Sequence, residues 1–257
     1  MAHKTLINGT AYEISGGRTL VNGTGYSIGK GKTLVGGTGY DISFGRPIGE
    51  LAIGESVFFN VNGVTTEFFV IQQGLPSSVY DSSCNGTWVL MKRSDIKNVF
   101  SASKSNDYAN SDIHSYLNNT FINSLDADVR DSVKQVKIPY TQGNGTGTVK
   151  TGAEGLSTKA FLLSYSEIAN TIDEDANVEG SILDYFDGTS LDACICTNTS
   201  GTTVAWWLRS PSTGKFDNTT DAWRVPQKAS YGMGKNNASV PMRVRPVIVF
   251  PQDFIID

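Results

Sequence analysis

Charge, cysteine and histidine are all scarce in this chain. Charged residues make up 18% of its 257 positions, the net charge is −4, and no run of lysines or arginines longer than the Lys92-Arg93 pair appears. Nucleic-acid binding needs a concentrated basic footprint and is not expected. The cysteines are Cys84, Cys194 and Cys196, an odd set that supplies no disulfide framework. Cys194 and Cys196 are also too close in sequence for ordinary bridge geometry. The only histidines are His3 and His114, so no zinc site is expected and no metal or cofactor is assigned. Neither a G-x-S-x-G nor an H-E-x-x-H signature occurs. Apolar runs stay too short to span a bilayer, and Met1-Ala2-His3-Lys4 leads directly into a polar repeat. Membrane insertion and a signal peptide are therefore not expected.

What the chain does contain is enough for a core. Hydrophobic residues reach 39% and aromatics 10%, which argues against wholesale disorder. The 27 glycines, together with many Asn, Ser and Thr residues, point to turn-rich β structure.

The first 44 residues repeat one phrase with a period of 14 residues, running over 4–14, 18–28 and 32–42. Leucine recurs at Leu6, Leu20 and Leu34, and tyrosine at Tyr12, Tyr26 and Tyr40. Each copy reads as strand, tight turn, strand, with Asn8-Gly9, Asn22-Gly23 or Gly36-Gly37 at the turn. Such a unit is too small to bury its own apolar residues, so the copies must stack on each other or on another chain. Strict recurrence of Leu and Tyr favours a docking module over a spacer. The Gly-Arg-Pro stretch at 45–47 marks a boundary, giving domains 1–44 and 45–257.

In the second domain, residues 57–71 read as a hairpin turning at Asn62-Gly63, and Thr87 to Lys92 as a strand. Ile113, Leu117 and Phe121 predict a helix over 111–123. A second helix is expected to start at Asp126 and carry a Val129, Val133, Val136 stripe. Gly143-x-Gly145-x-Gly147 lies in a loop rather than a phosphate cradle, because no strand clearly precedes it and no helix clearly follows. Ser164 to Glu167 forms a capping box after a core strand over 159–164. The acidic clusters at 173–175 and 184–187 read as solvated turns, since their spacing matches no calcium loop. Strands over 204–209 and 243–250 close the domain, and Arg209 and Arg245 on them need carboxylate or carbonyl partners. Two of the Trp206, Trp207, Leu208 and Arg209 side chains are expected to face inward. Between these bookends lies a polar segment holding Asp217, Asn218, Trp223, Arg224, Tyr231, Asn236 and Asn237, the candidate ligand-binding patch. Large aromatics and amides suit such a face.

Trp206-Trp207-Leu208-Arg209-Ser210-Pro211 and Val244-Arg245-Pro246-Val247 are accompanied by two further motifs. One comprises Tyr108, Ser111, Tyr116, Leu117, Asn118 and Phe121, and the other runs from Phe161 to Ser164. Together they resemble a family of domains common in gut bacteria and their phages. The arrangement looks like the C-type-lectin-like fold of the formylglycine-generating and retroelement-diversified variable proteins. The opening repeats are similar to those heading phage structural proteins. The resemblance implies an α+β fold: a C-type-lectin-like domain with an antiparallel sheet and two or three helices, after a small all-β repeat module. It implies a bacteriophage virion structural protein, a fibre or decoration subunit made in the host cytoplasm and carried on the virion surface. Residues 1–44 would bind other virion proteins, a homo-oligomer such as a trimer would suit a fibre, and the second domain would meet a host glycan or protein. A purely structural particle-stabilising subunit and, further off, a glycan-cleaving tailspike are the alternatives. Cys194 and Cys196 do not stand where the cysteine pair of the formylglycine-generating enzymes is expected, so the resemblance does not imply an enzyme.

Overall fold

The computed structural model describes the backbone of residues 3–7, 10–14, 17–21, 24–28, 30–35 and 38–43, and residues 45–256 together with their side chains. The chain divides into two units, Met1–Glu50 with Asp253–Asp257, and Leu51–Gln252.

In the first unit each sequence repeat is one antiparallel hairpin. His3–Ile7 pairs with Thr10–Ile14, Gly17–Val21 with Thr24–Ile28, and Lys30–Val35 with Thr38–Ser43. The register is the same each time. Thr5 faces Tyr12, Thr19 faces Tyr26 and Thr33 faces Tyr40, while Leu6, Leu20 and Leu34 pair with Ala11, Gly25 and Gly39. The expected turns at 8–9, 22–23 and 36–37 lie outside the described residues. The unit continues past residue 44, because Arg46–Pro47 pairs with Ile255–Ile256 near the C-terminus and the Ile48 amide donates to the Phe254 carbonyl at 2.8 Å.

The second unit is mixed α+β and mostly sheet. One five-stranded sheet runs in the order Ala160–Phe161, Val247–Phe250, Gly86–Met91, Val64–Gly74, Ser56–Val61. The other runs Lys97–Asn98, Met242–Arg243, Trp206–Pro211, Asp221–Val225, Gly234–Asn237. Within the two sheets all described pairings are antiparallel except the bridge from Trp206 to Arg243, and outside them an isolated parallel bridge joins Arg93 to Thr197. The expected hairpin turns where predicted: Asn62 and Gly63 both adopt positive φ, 51° and 74°, between Val61 and Val64, as a two-residue turn of primed type demands.

Three expectations need correcting. The single closing strand over 243–250 is two, broken at Pro246 and assigned to different sheets. Proline has no N–H to extend a ladder, so the chain leaves one sheet there and enters the other. The Trp206–Pro211 strand is buried on both faces, so all four of Trp206, Trp207, Leu208 and Arg209 are inside. The second helix ends at Ser132. Val133 is its C-cap and Val136 belongs to a strand, though all three valines of the expected stripe are buried. Asp126 precedes that helix without a side-chain capping bond and instead accepts from Asn60 at 2.8 Å.

The helix over 111–124 is real but composite. Ser111 caps an α turn at Asp112–Ser115, a π segment follows at Tyr116–Phe121, and a 3₁₀ turn closes it at Ile122–Ser124. Ile113, Leu117 and Phe121 recur strictly every four residues and are all buried. That spacing fits a helix wider than 3.6 residues per turn. Asn118, Asn119 and Asn123 each donate to the carbonyl four residues earlier, at 3.0, 3.0 and 2.5 Å. Such carbonyls are freed where the backbone ladder shifts to wider spacing.

Arg209 anchors a polar cluster in the core. It meets Glu167 through two parallel bonds of 2.6 and 2.7 Å and reaches the Pro139 and Leu162 carbonyls at 2.9 Å each. Glu167 also accepts from the Tyr80 hydroxyl at 2.9 Å and from the Ser164 amide at 2.8 Å, completing the predicted capping box. A second buried carboxylate, Glu179, lies 4.0 Å from the Arg209 Nε and accepts from Thr141 N and Ser210 Oγ. One cation therefore serves two carboxyl groups. The close approach is tight elsewhere too: a Cβ on Gly180 would lie 2.1 Å from the Tyr80 hydroxyl.

Candidate ligand-binding cleft

Residues 142–147 form a loop whose path only glycine follows easily. Gly145 and Gly147 have φ of 77° and 65°, and Asn144, at 56°, is also left-handed. Gly143 is held by a close approach, since a Cβ there would lie 2.5 Å from the Asp107 amide nitrogen. The loop bonds outward: the Gly145 amide donates to the Asn218 carbonyl at 2.7 Å, and Asn177 donates to the Gly147 carbonyl at 2.7 Å. Opposite it, the Ser212 hydroxyl donates to Asp217 at 2.6 Å and accepts from the Gly214 amide at 3.2 Å.

Between these segments opens a cleft of about 250 Å³, lined by Gln142, Gly145, Thr146, Gly147, Asn177, Ser212, Thr213 and Asn218. Its lining divides into two groups. Asn177 and Ser212 spend their side chains on the scaffold. Among the described residues, the side chains of Gln142, Thr146, Thr213 and Asn218 make no hydrogen bond to protein, so their amides and hydroxyls can donate and accept toward a ligand. Phe216, on the same 214–220 turn as Asn218, is 94% exposed, and the Lys215 ammonium sits 5.8 Å from its ring centre.

Beside the cleft, Lys235 bridges Asp175 and Asp217 at 2.6 and 2.8 Å and lies 5.5 Å over the Trp223 ring. Partial burial would raise Asp217, but the bonds from Lys235 and Ser212 outweigh it and hold its carboxyl below the usual range. Burial would lower Lys235, and its two carboxylate partners outweigh that and raise it. A Cβ on Gly214 would lie 2.7 Å from both Asp175 and Asp217, so glycine there lets the two acids close on the lysine.

The seven residues singled out in the sequence do not form one surface. Asn218 lines the cleft and Asp217 supports its rim through Ser212. Trp223 is 3% exposed, packs edge-on against Tyr165 with ring centres 4.7 Å apart, and donates to the Asp175 carbonyl. It therefore shapes the rim from within. Its strand neighbour Arg224 donates to Asn236 at 3.1 Å, and alternation along the strand sends this pair to the opposite face from Trp223. Asn237 binds its own turn through Ser239, and Tyr231 is 61% exposed on a short 3₁₀ turn. Gln142, Thr146 and Thr213 carry no local signal in the sequence, since the packing of the glycine loop against Asn218 is a long-range contact. Phe216 was missed despite a usable signal: a lone large aromatic in a polar turn.

The thiols offer no nucleophile. Cys84, Cys194 and Cys196 are free and buried, and burial pushes Cys84 and Cys194 up to about 12. Thiolate is the reactive form, so these side chains act as small apolar fillers. Among the described residues, no three His, Cys, Asp or Glu side chains gather to hold a metal, and no helix is long and apolar enough to cross a membrane.

Fold and cleft together define a β-rich α+β domain with an open polar recess. The chain belongs to the DUF6273 family, a domain of unknown function, which it matches over residues 85–252. That span includes the glycine loop, the cleft and both Arg209 and Arg245, but not the 56–74 hairpin that completes the first sheet. Neither the curated proteins nor the solved structures yielded a match.

Proposed function

We propose that the chain is a non-enzymatic binding protein of a bacteriophage virion, displaying a C-type-lectin-like domain that takes a host-surface glycan in the amide-lined cleft. The observation that carries this reading is the set of four uncommitted side chains, Gln142, Thr146, Thr213 and Asn218, around one recess. Sugar hydroxyls both donate and accept, and side-chain amides match them in both roles. Exposed Phe216 and Tyr231 supply aromatic area beyond the recess. The three hairpins, with identical register and recurring Leu and Tyr, suit attachment to other virion proteins at the particle surface, or to sister copies in a homo-oligomer such as a trimer.

The test is binding of the purified full chain to a panel of bacterial surface glycans, with the Gln142→Ala/Asn218→Ala double variant beside it. A loss of at least tenfold in affinity with an unchanged unfolding midpoint is expected. Equal binding by both proteins would move the site elsewhere. No binding by the unaltered chain would leave a particle-stabilising role in its place.

A further inference from the structure

Arg245 is 2% exposed, yet no carboxylate meets it among the described residues. Its Nε donates to the Met91 carbonyl at 2.7 Å and one Nη reaches the Lys92 carbonyl at 3.4 Å. The guanidinium lies between two rings, 5.4 Å from the centre of Phe69 and 5.1 Å from that of Trp206. The remaining nitrogen, Nη1, is buried and has no partner. Such a group ordinarily costs about 1–3 kcal/mol, more when charged, so an unfilled donor on a buried guanidinium calls for an explanation.

Arg245 also lines a cavity of about 290 Å³ that shares no residue with the amide cleft. Its wall adds Lys92, Arg93, Phe69 and Tyr185. Glu67 neutralises Lys92 at 2.6 Å, but Arg93 is exposed and makes no ion pair among the described residues. The acidic groups whose field reaches Arg245 are Cys196, Cys194 and Tyr185, two thiols and a phenol rather than a carboxylate. Burial keeps both thiols protonated, Cys194 with a pKa of about 12. Glu67, paired with Lys92 and acting more weakly on Arg93, is the one carboxylate set against these three cations, and none meets Arg245.

We propose that this cavity binds an oxyanion, a carboxylate or phosphoryl group, carried on a body of monosaccharide size, with Arg245 and Arg93 as its two cationic contacts. Guanidinium forks match both oxyanions with paired bonds, and the fixed, stacked Arg245 is already organised for one. Half-buried Tyr185, packed on Phe69 with ring centres 4.7 Å apart, offers the ligand body an aromatic contact. The inference stands apart from the glycan reading of the cleft, because the residues differ and either can fail alone.

The experiment is calorimetric titration of the full chain with glucuronate, glucose 6-phosphate, inorganic phosphate and neutral glucose at matched ionic strength. Saturable binding of glucuronate or glucose 6-phosphate is expected, at least tenfold tighter than glucose, and the preferred probe tells carboxylate from phosphoryl recognition. Arg93→Ala, a surface change that the fold tolerates, is expected to weaken that binding at least tenfold. Arg245→Met is expected to remove it, with folding checked by circular dichroism. The proposal is overturned if no anionic probe saturates, if inorganic phosphate binds as tightly as the larger anions, or if Arg93→Ala binds as the parent does.

Discussion

Arg209 on the Trp206–Pro211 strand and Arg245 in the break between Met242–Arg243 and Val247–Phe250 are buried to 0% and 2% exposure and are held in opposite ways. Arg209 is enclosed by a bidentate carboxylate, three carbonyls and a second glutamate within 4.0 Å. Arg245 has two carbonyls, two aromatic faces and an unfilled nitrogen beside a cavity. A buried charge whose partners are complete ties the core together. One whose partners are incomplete keeps capacity for a ligand. The same residue type in two similar apolar runs thus serves two different ends, and what separates them is the count of neighbours.

The largest effect should come from unpairing the closed site. Glu167→Ala leaves Arg209 buried beside only Glu179 at longer range, and a loss of about 3–5 kcal/mol is expected in urea unfolding. A loss below about 1 kcal/mol would contradict the view that this ion pair is closed. Next comes Tyr80→Phe, which deletes one donor to Glu167 and should cost about 2 kcal/mol, as hydrogen bonds to charged groups do. Smaller still is Arg245→Met. It gives up two carbonyl bonds but also relieves a desolvated cation, so about 1 kcal/mol is expected in the same assay. The comparison collapses if Arg245→Met proves as costly as Glu167→Ala.

Sequence reading reached much of the fold through local chemistry. Asn62-Gly63 demanded a primed turn, Ser164 to Glu167 carried its capping box, and the 14-residue period resolved into one hairpin per copy. It failed where long-range packing decides. Pro246 splits an apolar run between two sheets, and periodicity cannot say which sheet a segment joins. Val136 fits the helical stripe but is a strand residue, because i, i+4 and i, i+7 spacing does not show where a helix stops. At the candidate site Asn218 was legible because amides cluster near it. Gln142 was not, because nothing local says that the loop from Gln142 to Gly147 folds against Asn218. Glu179 as a second partner of Arg209 was equally hidden, since no helix or strand between Ile168 and Leu191 fixes where that stretch turns.

That second carboxylate leads to the most delicate test of the contrast. Burial raises the Glu179 carboxyl above its ordinary value, against the lowering influence of Arg209, Ser210 and Thr141. Glu167 takes both forks of the guanidinium, so Glu179 has only the flank. A group with a raised pKa binds its proton more tightly in the folded chain than in the unfolded one. Its contribution is fully present below the ordinary glutamate value and is lost as pH rises through the folded value. Stability should therefore fall with rising pH across the mildly acidic range above about 4.3. Glu179→Gln should flatten that part of the profile, because an amide keeps the neutral form at every pH. Arg245→Met should leave the slope intact, since neither bond it loses involves this carboxylate. Urea midpoints collected from pH 4 to 7 for the three proteins would decide it, and an identical slope in the Glu179→Gln variant would remove Glu179 from the account.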